Sequence, residues 1–184
     1  MARRNVLVDG VSGSGKSTVF DELRRRGIPA VSTDRDWSAH LDPVTSLPAP
    51  ASYDTWCWRP EVALPALEDD SVDELWVCGG ARNRDRFLPL FDRVFHLQLD
   101  AATLRARLAR RVVPDRSRIG PAAERNWTPM TEDEVRATLA LHARGDAPTG
   151  AVGVDATLPV RDLVDRLLQL ASPPARDRDR PRTG

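Results

Sequence analysis

The fold is decided by the stretch Asn5-Val-Leu-Val-Asp-Gly-Val-Ser-Gly-Ser-Gly-Lys-Ser-Thr18, in which a glycine-rich turn separates two regular elements. Residues 5–9 are a short apolar run typical of a buried strand, and residues 17–26 carry apolar side chains at helical spacing. Gly27 and Pro29 end this helix, and residues 28–33 predict a second strand. Strand, turn, helix and strand together predict a βαβ unit and therefore a parallel sheet.

The turn itself matches the pattern G-x-x-x-x-G-K-[ST] without a mismatch. Glycines let consecutive backbone N–H groups converge on an anion, and the amino end of the next helix adds its positive dipole. The pattern therefore predicts a loop that binds the phosphates of ATP together with Mg²⁺, with Lys16 on the β- and γ-phosphates and Ser17 on the metal. The predicted nucleotide-binding residues are Gly10, Ser12, Gly13, Ser14, Gly15, Lys16, Ser17 and Thr18.

The rest of the chain continues the alternation of strands and helices. Further strands are predicted at residues 74–78, 93–99 and 152–154, and further helices at 60–67, after Asp100 through Val112, after the capping box Thr131/Glu134, and after Pro159. Three prolines in residues 34–58 argue against long regular structure there. We therefore predict an α/β, three-layer P-loop fold: a five-stranded parallel sheet with helices on both faces. The expected organisation is one domain over residues 1–172 and a disordered tail at 173–184.

The composition limits the partners that the chain is expected to bind. The 184 residues carry 27 basic and 27 acidic side chains, so no global field favours nucleic acid or an anionic membrane. No apolar run approaches the roughly 20 residues that span a bilayer, and we expect a cytoplasmic protein, monomeric or homodimeric. The two cysteines, Cys57 and Cys78, show no metal-binding spacing and are expected to be reduced thiols.

Several classes of P-loop protein are excluded by what the sequence lacks. Lys16 is the only lysine, so the guanine-reading motif N-K-x-D of small GTPases is impossible, which favours ATP over GTP as the donor. The L-S-G-G-Q signature of transport ATPases is absent. The strand at residues 74–78 ends in Gly79-Gly80 instead of the acidic pair of motor-type ATPases.

The sequence resembles the small P-loop kinases that include shikimate kinase, gluconate kinase and adenylate kinase. The likeness covers about residues 5–170 and is carried by the phosphate loop, by Val31-Ser-Thr-Asp-Arg-Asp36, by Gly79-Gly80 and by the arginine-rich segment Leu104-Arg-Ala-Arg-Leu-Ala-Arg-Arg111. Residues 154–159 resemble the adenine-side loop of these kinases, and the resemblance implies a mobile lid at about 112–130. Nearer still, the chain resembles actinobacterial proteins known only as AAA-family ATPases or as shikimate-kinase-like.

Two acidic residues beyond the second strand are candidates for the chemistry. In an extended chain Asp34 and Asp36 would point to one side, over the carboxyl edge of the sheet where α/β proteins bind ligands. The resemblance implies that they contact the acceptor. Asp34 is then the predicted Mg²⁺ ligand beside Ser17, and Asp36 the predicted base that takes a proton from an acceptor hydroxyl. The alternative is a solvated turn without a role.

Arginines are the predicted source of charge stabilisation, because phosphoryl transfer depends on positioning and cations. Arg107 and Arg111 lie one helical turn apart, and Arg107 is also a candidate for nucleotide binding. Arg116 and Arg118 lie within the predicted lid. For any one of these arginines, a solvated basic surface remains an equal alternative.

The acceptor side is less sharply predicted. Its candidates are Arg59, Gly79, Gly80, Arg82 and Asn83, with Arg59 suited to a carboxylate or phosphate on the acceptor. Tyr53, Trp56 and Trp58 are expected either to stack on a ring of the acceptor or to cover the core. Arg59-Pro-Glu61 is one residue shorter than the F-R-x-x-E motif of shikimate kinases, and Ala81 replaces a third glycine, which weighs against shikimate itself.

Together these features predict an ATP-dependent kinase of a small metabolite, with a hydroxyl acceptor favoured. Two alternatives remain at this level: a nucleoside or nucleotide kinase, and a regulatory ATPase that binds nucleotide without transferring a phosphoryl group. The sequence names neither the acceptor nor the arginine that acts.

Overall fold

The computed structural model describes residues 4–114 and 127–172. Its centre is a five-stranded, fully parallel sheet in the order β2-β5-β1-β6-β9. The five strands of this sheet are β1 (Arg4–Asp9), β2 (Ala30–Ser32), β5 (Glu74–Cys78), β6 (Arg93–Gln98) and β9 (Val152–Asp155). The α/β fold with five parallel strands that the sequence predicts is thus confirmed.

The helices follow the strands as a parallel sheet requires, because each crossover must return the chain to the same end of the sheet. They are α1 (Lys16–Arg25), α2 (Thr33–Asp36), α3 (Pro60–Glu68), α4 (Ala101–Ala109), α5 (Glu132–Ala143) and α6 (Val160–Ala171). The predicted caps are present: the Asp100 side chain accepts from the Thr103 N–H, and Thr131 and Glu134 form the capping box of α5.

Hydrophobic side chains of β1 enter the cores on both faces of the sheet, because successive side chains of a strand alternate in direction. Val6 and Val8 pack in the core that holds α1 and α6, while Leu7 packs in the core that holds α3. All three are fully buried. The central strand is therefore held on both sides, and the phosphate loop that follows it has a rigid base.

Residues 34–58 contain more regular structure than the prolines indicate. After the single helical turn α2, β3 (Ser38–His40) pairs antiparallel with β4 (Trp56–Trp58), and the prolines fall in the connection between these strands. Trp58 is fully buried and packs edge-on against Trp37 at 5.7 Å between ring centroids. Tyr53 is half exposed. Of the two roles expected for the aromatic residues, stacking on an acceptor or covering the core, Trp58 therefore has the second. Tyr53 does not cover the core.

Helix α4 ends earlier than its apolar spacing predicts. The prediction that Val112 continues the helix was wrong, because Val112 begins β7 (Val112–Pro114), which pairs antiparallel with β8 (Trp127–Pro129). These two strands lie at the two ends of the predicted lid, residues 112–130. Most of that segment, residues 115–126, lies outside the described part of the chain, as do Arg116, Arg118 and the predicted tail. The lid stays a prediction.

Within the residues that the structure describes, no helix is long and apolar enough to cross a membrane. Cys57 and Cys78 are buried free thiols, as expected.

Candidate functional site

The phosphate loop lies between the carboxyl end of β1 and the amino end of α1. Its backbone depends on glycine at Gly13, where φ is +84° and a Cβ atom would lie 2.8 Å from the Leu108 side chain. Such a φ is unfavourable for any residue with a side chain, and the contact leaves no room for one. The loop is therefore packed directly against α4.

Lys16 is held over the loop that precedes it. Its ammonium Nζ donates to the Gly10 carbonyl at 2.6 Å and to the Val11 carbonyl at 3.0 Å. Burial lowers the pKa of Lys16, while the carboxylates of Asp34 and Asp9 act in the opposite direction. In this position the Lys16 ammonium is within reach of a phosphate bound to the loop.

The loop forms the floor of a cavity of about 470 Å³, a size that accommodates a small-molecule ligand. One wall is apolar and comes from the segment that resembles the adenine-side loop, together with the start of α6: Ala156, Leu158, Val160 and Leu163. The polar lining consists of predicted site residues: Ser12, Gly13, Ser14, Gly15, Lys16, Ser17, Thr18, Asp34, Arg107 and Arg111. These residues fit a nucleotide with Mg²⁺, because the loop amides, an ammonium and a hydroxyl at a helix start suit phosphates and a metal, and the apolar wall suits a base.

Two arginines from the region of α4 reach the loop. Arg107 donates to the Ser14 carbonyl at 3.0 Å and to the Ala156 carbonyl at 2.7 Å, and so joins the phosphate side of the cavity to its apolar wall. Arg111 donates to the Ser12 hydroxyl. Although Arg111 lies two residues beyond the end of α4, both guanidinium groups border the cavity.

The two candidate carboxylates do not share a side. Residues 33–36 form a helical turn instead of an extended chain, and positions two apart on a helix face in different directions. Asp34 lines the cavity and accepts a hydrogen bond from the Trp56 indole at 3.1 Å. Asp36 does not line it, and its carboxylate accepts from the Ser32 N–H at 3.2 Å. The expectation that the two carboxylates point to the same side was therefore wrong, because the chain is helical at this point.

The acceptor-side candidates lie outside the cavity lining, and two of them make close backbone approaches. At Gly79, where φ is +154°, a Cβ atom would lie 1.7 Å from the Thr33 hydroxyl oxygen, and at Gly80 it would lie 2.5 Å from the Asp9 carboxylate. Asn83 is buried. Its side-chain amide donates to the Trp58 carbonyl at 2.8 Å and accepts from the Trp58 N–H at 2.9 Å. Glycine at 79 thus allows the end of β5 to pack against the helical turn that carries Asp34.

A buried charged cluster behind the loop was missed by the sequence reasoning. Asp9 is 1% exposed, and its Oδ2 lies 3.5 Å from both the Arg84 guanidinium and the His96 ring. Burial raises the pKa of Asp9, but His96, Arg84 and Lys16 together bring it below its ordinary value. The available signal was a carboxylate at the end of an apolar strand, directly before the first glycine of the loop.

Comparison with known proteins agrees with this geometry. A family model described as an AAA domain matches residues 6–128. The chain belongs to this AAA domain family. No curated protein matches the chain significantly.

Solved structures that resemble this AAA domain protein have the fold of small P-loop kinases. A sugar kinase from Janibacter sp. HTCC2649 is 23% identical, with 91% of this chain and 93% of that chain covered and a TM-score of 0.56. A gluconokinase from Sinorhizobium meliloti 1021 is 20% identical, with coverages of 91% and 93% and a TM-score of 0.51. A shikimate kinase from Bacteroides thetaiotaomicron is 16% identical, with coverages of 91% and 97% and a TM-score of 0.57.

Proposed function

We propose that this protein is a kinase that transfers the γ-phosphoryl group of ATP to a hydroxyl group of a small molecule. The observation that carries the proposal is the placement of the Asp34 carboxylate in the same cavity as Lys16 and Ser17. A pure nucleotide-binding switch needs the loop and its lysine, whereas a carboxylate facing the phosphates is suited to an incoming hydroxyl. The sugar, gluconate and shikimate kinases with the same fold support this reading.

The residues of the loop account for binding of the donor. The backbone amides and Lys16 would hold the phosphates, the Ser17 hydroxyl would ligate Mg²⁺, and the apolar wall beside Leu158 would contact the base. The metal supplies charge neutralisation between the β- and γ-phosphates. Arg107 and Arg111 already contact the loop, so they would stabilise the charge that develops on the transferred group.

The reaction also requires a base that accepts the proton of the acceptor hydroxyl. As the acceptor oxygen forms its bond to the γ-phosphorus, the bond to the β-phosphate oxygen breaks, ADP leaves, and the hydroxyl proton passes to a base. We assign this base to Asp34, because Asp36 is turned towards the Ser32 N–H and away from the cavity. Ligation of Mg²⁺ by Asp34 stays the prediction made from the sequence.

The experiment that tests the proposal measures ADP release from Mg·ATP, and from Mg·GTP, with and without a panel of acceptors. The panel contains sugars and sugar acids, shikimate, nucleosides, nucleoside monophosphates and amino sugars. We expect one class of acceptor to stimulate ADP release, and Lys16→Ala to reduce the stimulated rate by about 10²–10³-fold. A slow rate that no acceptor changes would refute the kinase and favour a regulatory ATPase.

Two matched variants test the assignment of the base. Asp34→Asn should lower the stimulated rate by about 10²-fold or more, as loss of a general base does, while Asp36→Asn should retain most of it. The opposite order would return the role to Asp36. Full activity in both variants would indicate a phosphate acceptor, which needs no base, as in a nucleotide kinase.

A further inference from the structure

Among the residues that the structure describes, three arginines near the predicted acceptor side, Arg59, Arg82 and Arg84, are already bound to other groups of the protein. Arg59, which the sequence suggests for an anionic acceptor, donates from Nη2 to the Asp36 carbonyl at 2.8 Å and from Nε to the Trp37 carbonyl at 3.3 Å. These bonds tie the start of α3 to the helical turn and to the residue that follows it. Arg59 therefore holds the backbone around Asp34 in place, and two of its five N–H donors are taken by backbone carbonyls.

Arg82 lies close to two carboxylates. Its guanidinium lies 3.2 Å from the Asp146 carboxylate and 3.8 Å from that of Asp54, and it covers the ring of Tyr53 at 5.3 Å from the centroid. Because these two carboxylates offset the positive charge of Arg82, its attraction for a further anion is weak. An anionic acceptor at Arg82 would also lie beside the two carboxylates already there.

Arg84 also forms ion pairs with two carboxylates. It lies 3.5 Å from the Asp9 carboxylate and 2.9 Å from that of Asp146, and its Nη2 also donates to the Asp146 carbonyl at 2.8 Å. Its side chain is only 12% exposed, so an acceptor anion would have to displace a partner from a largely buried ion pair. By contrast, the carboxylate of Asp34 faces the cavity with the indole N–H of Trp56 as its hydrogen-bond donor.

From this pairing we infer that the acceptor is a hydroxyl compound without a carboxylate or phosphate group, such as a polyol, sugar or nucleoside. The inference rests on the proposed function, because it concerns the molecule that meets the γ-phosphate beside Asp34. It separates this chain from the acid kinases that share its fold. Beside Asp34 the structure offers a neutral hydrogen-bond donor, the indole N–H of Trp56.

A binding experiment tests the inference without knowledge of the acceptor. The phosphate loop is filled with Mg²⁺ and a non-hydrolysable ATP analogue, and inorganic sulfate is titrated while tryptophan fluorescence and calorimetry are recorded. Wild-type protein should show no saturable second sulfate site. Asp54→Asn removes one of the two carboxylates beside Arg82, and Asp54→Asn/Asp146→Asn removes both, together with one partner of Arg84. Both variants should gain a site that saturates at sulfate concentrations at least about tenfold below the highest at which the wild type shows none.

Controls attribute the signal to the arginines named. Arg82→Gln added to the Asp54→Asn variant should remove the gained site, because Asp54 pairs with Arg82. Asp54 is 85% exposed, so this background does not disturb the core. Thermal melts establish that each variant is folded. Saturable sulfate binding by the wild type that Arg82→Gln or Arg59→Gln abolishes would overturn the inference, as would folded variants that gain no site.

A transfer assay separates the inference from the proposed function. Matched pairs that differ in charge, a sugar alcohol against its sugar acid and a nucleoside against its monophosphate, are compared by kcat/KM. We expect the uncharged member of the active pair to be favoured at least about tenfold. Preference for the anion would overturn the inference and leave the kinase intact. If no pair is phosphorylated, the kinase proposal fails, and the sulfate titration still decides whether the arginines accept an anion.

Discussion

Replacement of Gly79 by alanine tests whether the close approach between β5 and the helical turn α2 controls the active site. The new Cβ atom would lie 1.7 Å from the Thr33 hydroxyl oxygen, where real contacts are not shorter than 3.0 Å. Thr33 must therefore shift, because its Cβ atom would still lie 2.9 Å from the new atom after its hydroxyl rotates away. Because Asp34 is the next residue, the same movement displaces its carboxylate from Lys16 and Ser17.

The expected magnitude has two parts. A side chain at a φ of +154° costs about 1–3 kcal/mol in backbone strain, and the forced displacement costs about 1–3 kcal/mol more. Gly79→Ala should thus lower the free energy of unfolding by about 2–6 kcal/mol, which is a large part of the 5–15 kcal/mol typical of a folded domain. A misplacement of about 1 Å at the reacting groups also predicts a loss of about 10²-fold in phosphoryl transfer.

Gly27→Ala is the matched control. Gly27 also has a positive φ, +74°, but a Cβ atom there meets nothing within 4 Å. It should cost only the backbone strain, about 1–2 kcal/mol, and leave transfer unchanged. Urea denaturation gives the two stabilities, and ADP release gives the two rates. If Gly79→Ala is no more destabilising than Gly27→Ala and retains full activity, the reasoning about this contact is refuted.

Two further predictions follow from single contacts. Trp56→Phe removes the hydrogen bond to the Asp34 carboxylate and should lower the transfer rate about fivefold while the Kd for ATP stays constant; an unchanged rate would remove Trp56 from the site. Glu22 has its pKa lowered to about 2 by the guanidinium groups of Arg25 and Arg26, so its stabilising contribution is complete above pH 4.5 and is lost as the pH falls towards 2. In urea denaturation, the stability difference between wild type and Glu22→Gln should therefore shrink across that interval; a difference independent of pH would contradict the assignment.

Much of the fold could be predicted because the signals are local. The loop of residues 10–17 needs its glycines and its lysine in one order, and the alternating and helical spacings of apolar residues set the five strands and the longer helices. The caps at Asp100 and Thr131 likewise depend on side chains three residues apart. Local spacing failed at Val112, where pairing with a strand on the far side of residues 115–126 competes with the helix.

The arrangement of the charged residues could not be predicted from local sequence patterns. Asp34 and Asp36 are equivalent in the sequence, yet one lines the cavity and the other bonds to the backbone, because the chain makes a helical turn between β2 and β3. The partner of Asp34, Trp56, is 22 residues away and reaches it only through the hairpin of β3 and β4.

The sequence by itself predicted a phosphate-binding loop between a central strand and a helix, since the chemistry and the spacing of that loop lie within one continuous stretch. The tertiary structure alone decided which carboxylate faces the loop and that Arg82 and Arg84 are paired, through Asp146 more than 60 residues away in the chain. Charge pairing acts through space between segments that the sheet brings together, so no local pattern records it.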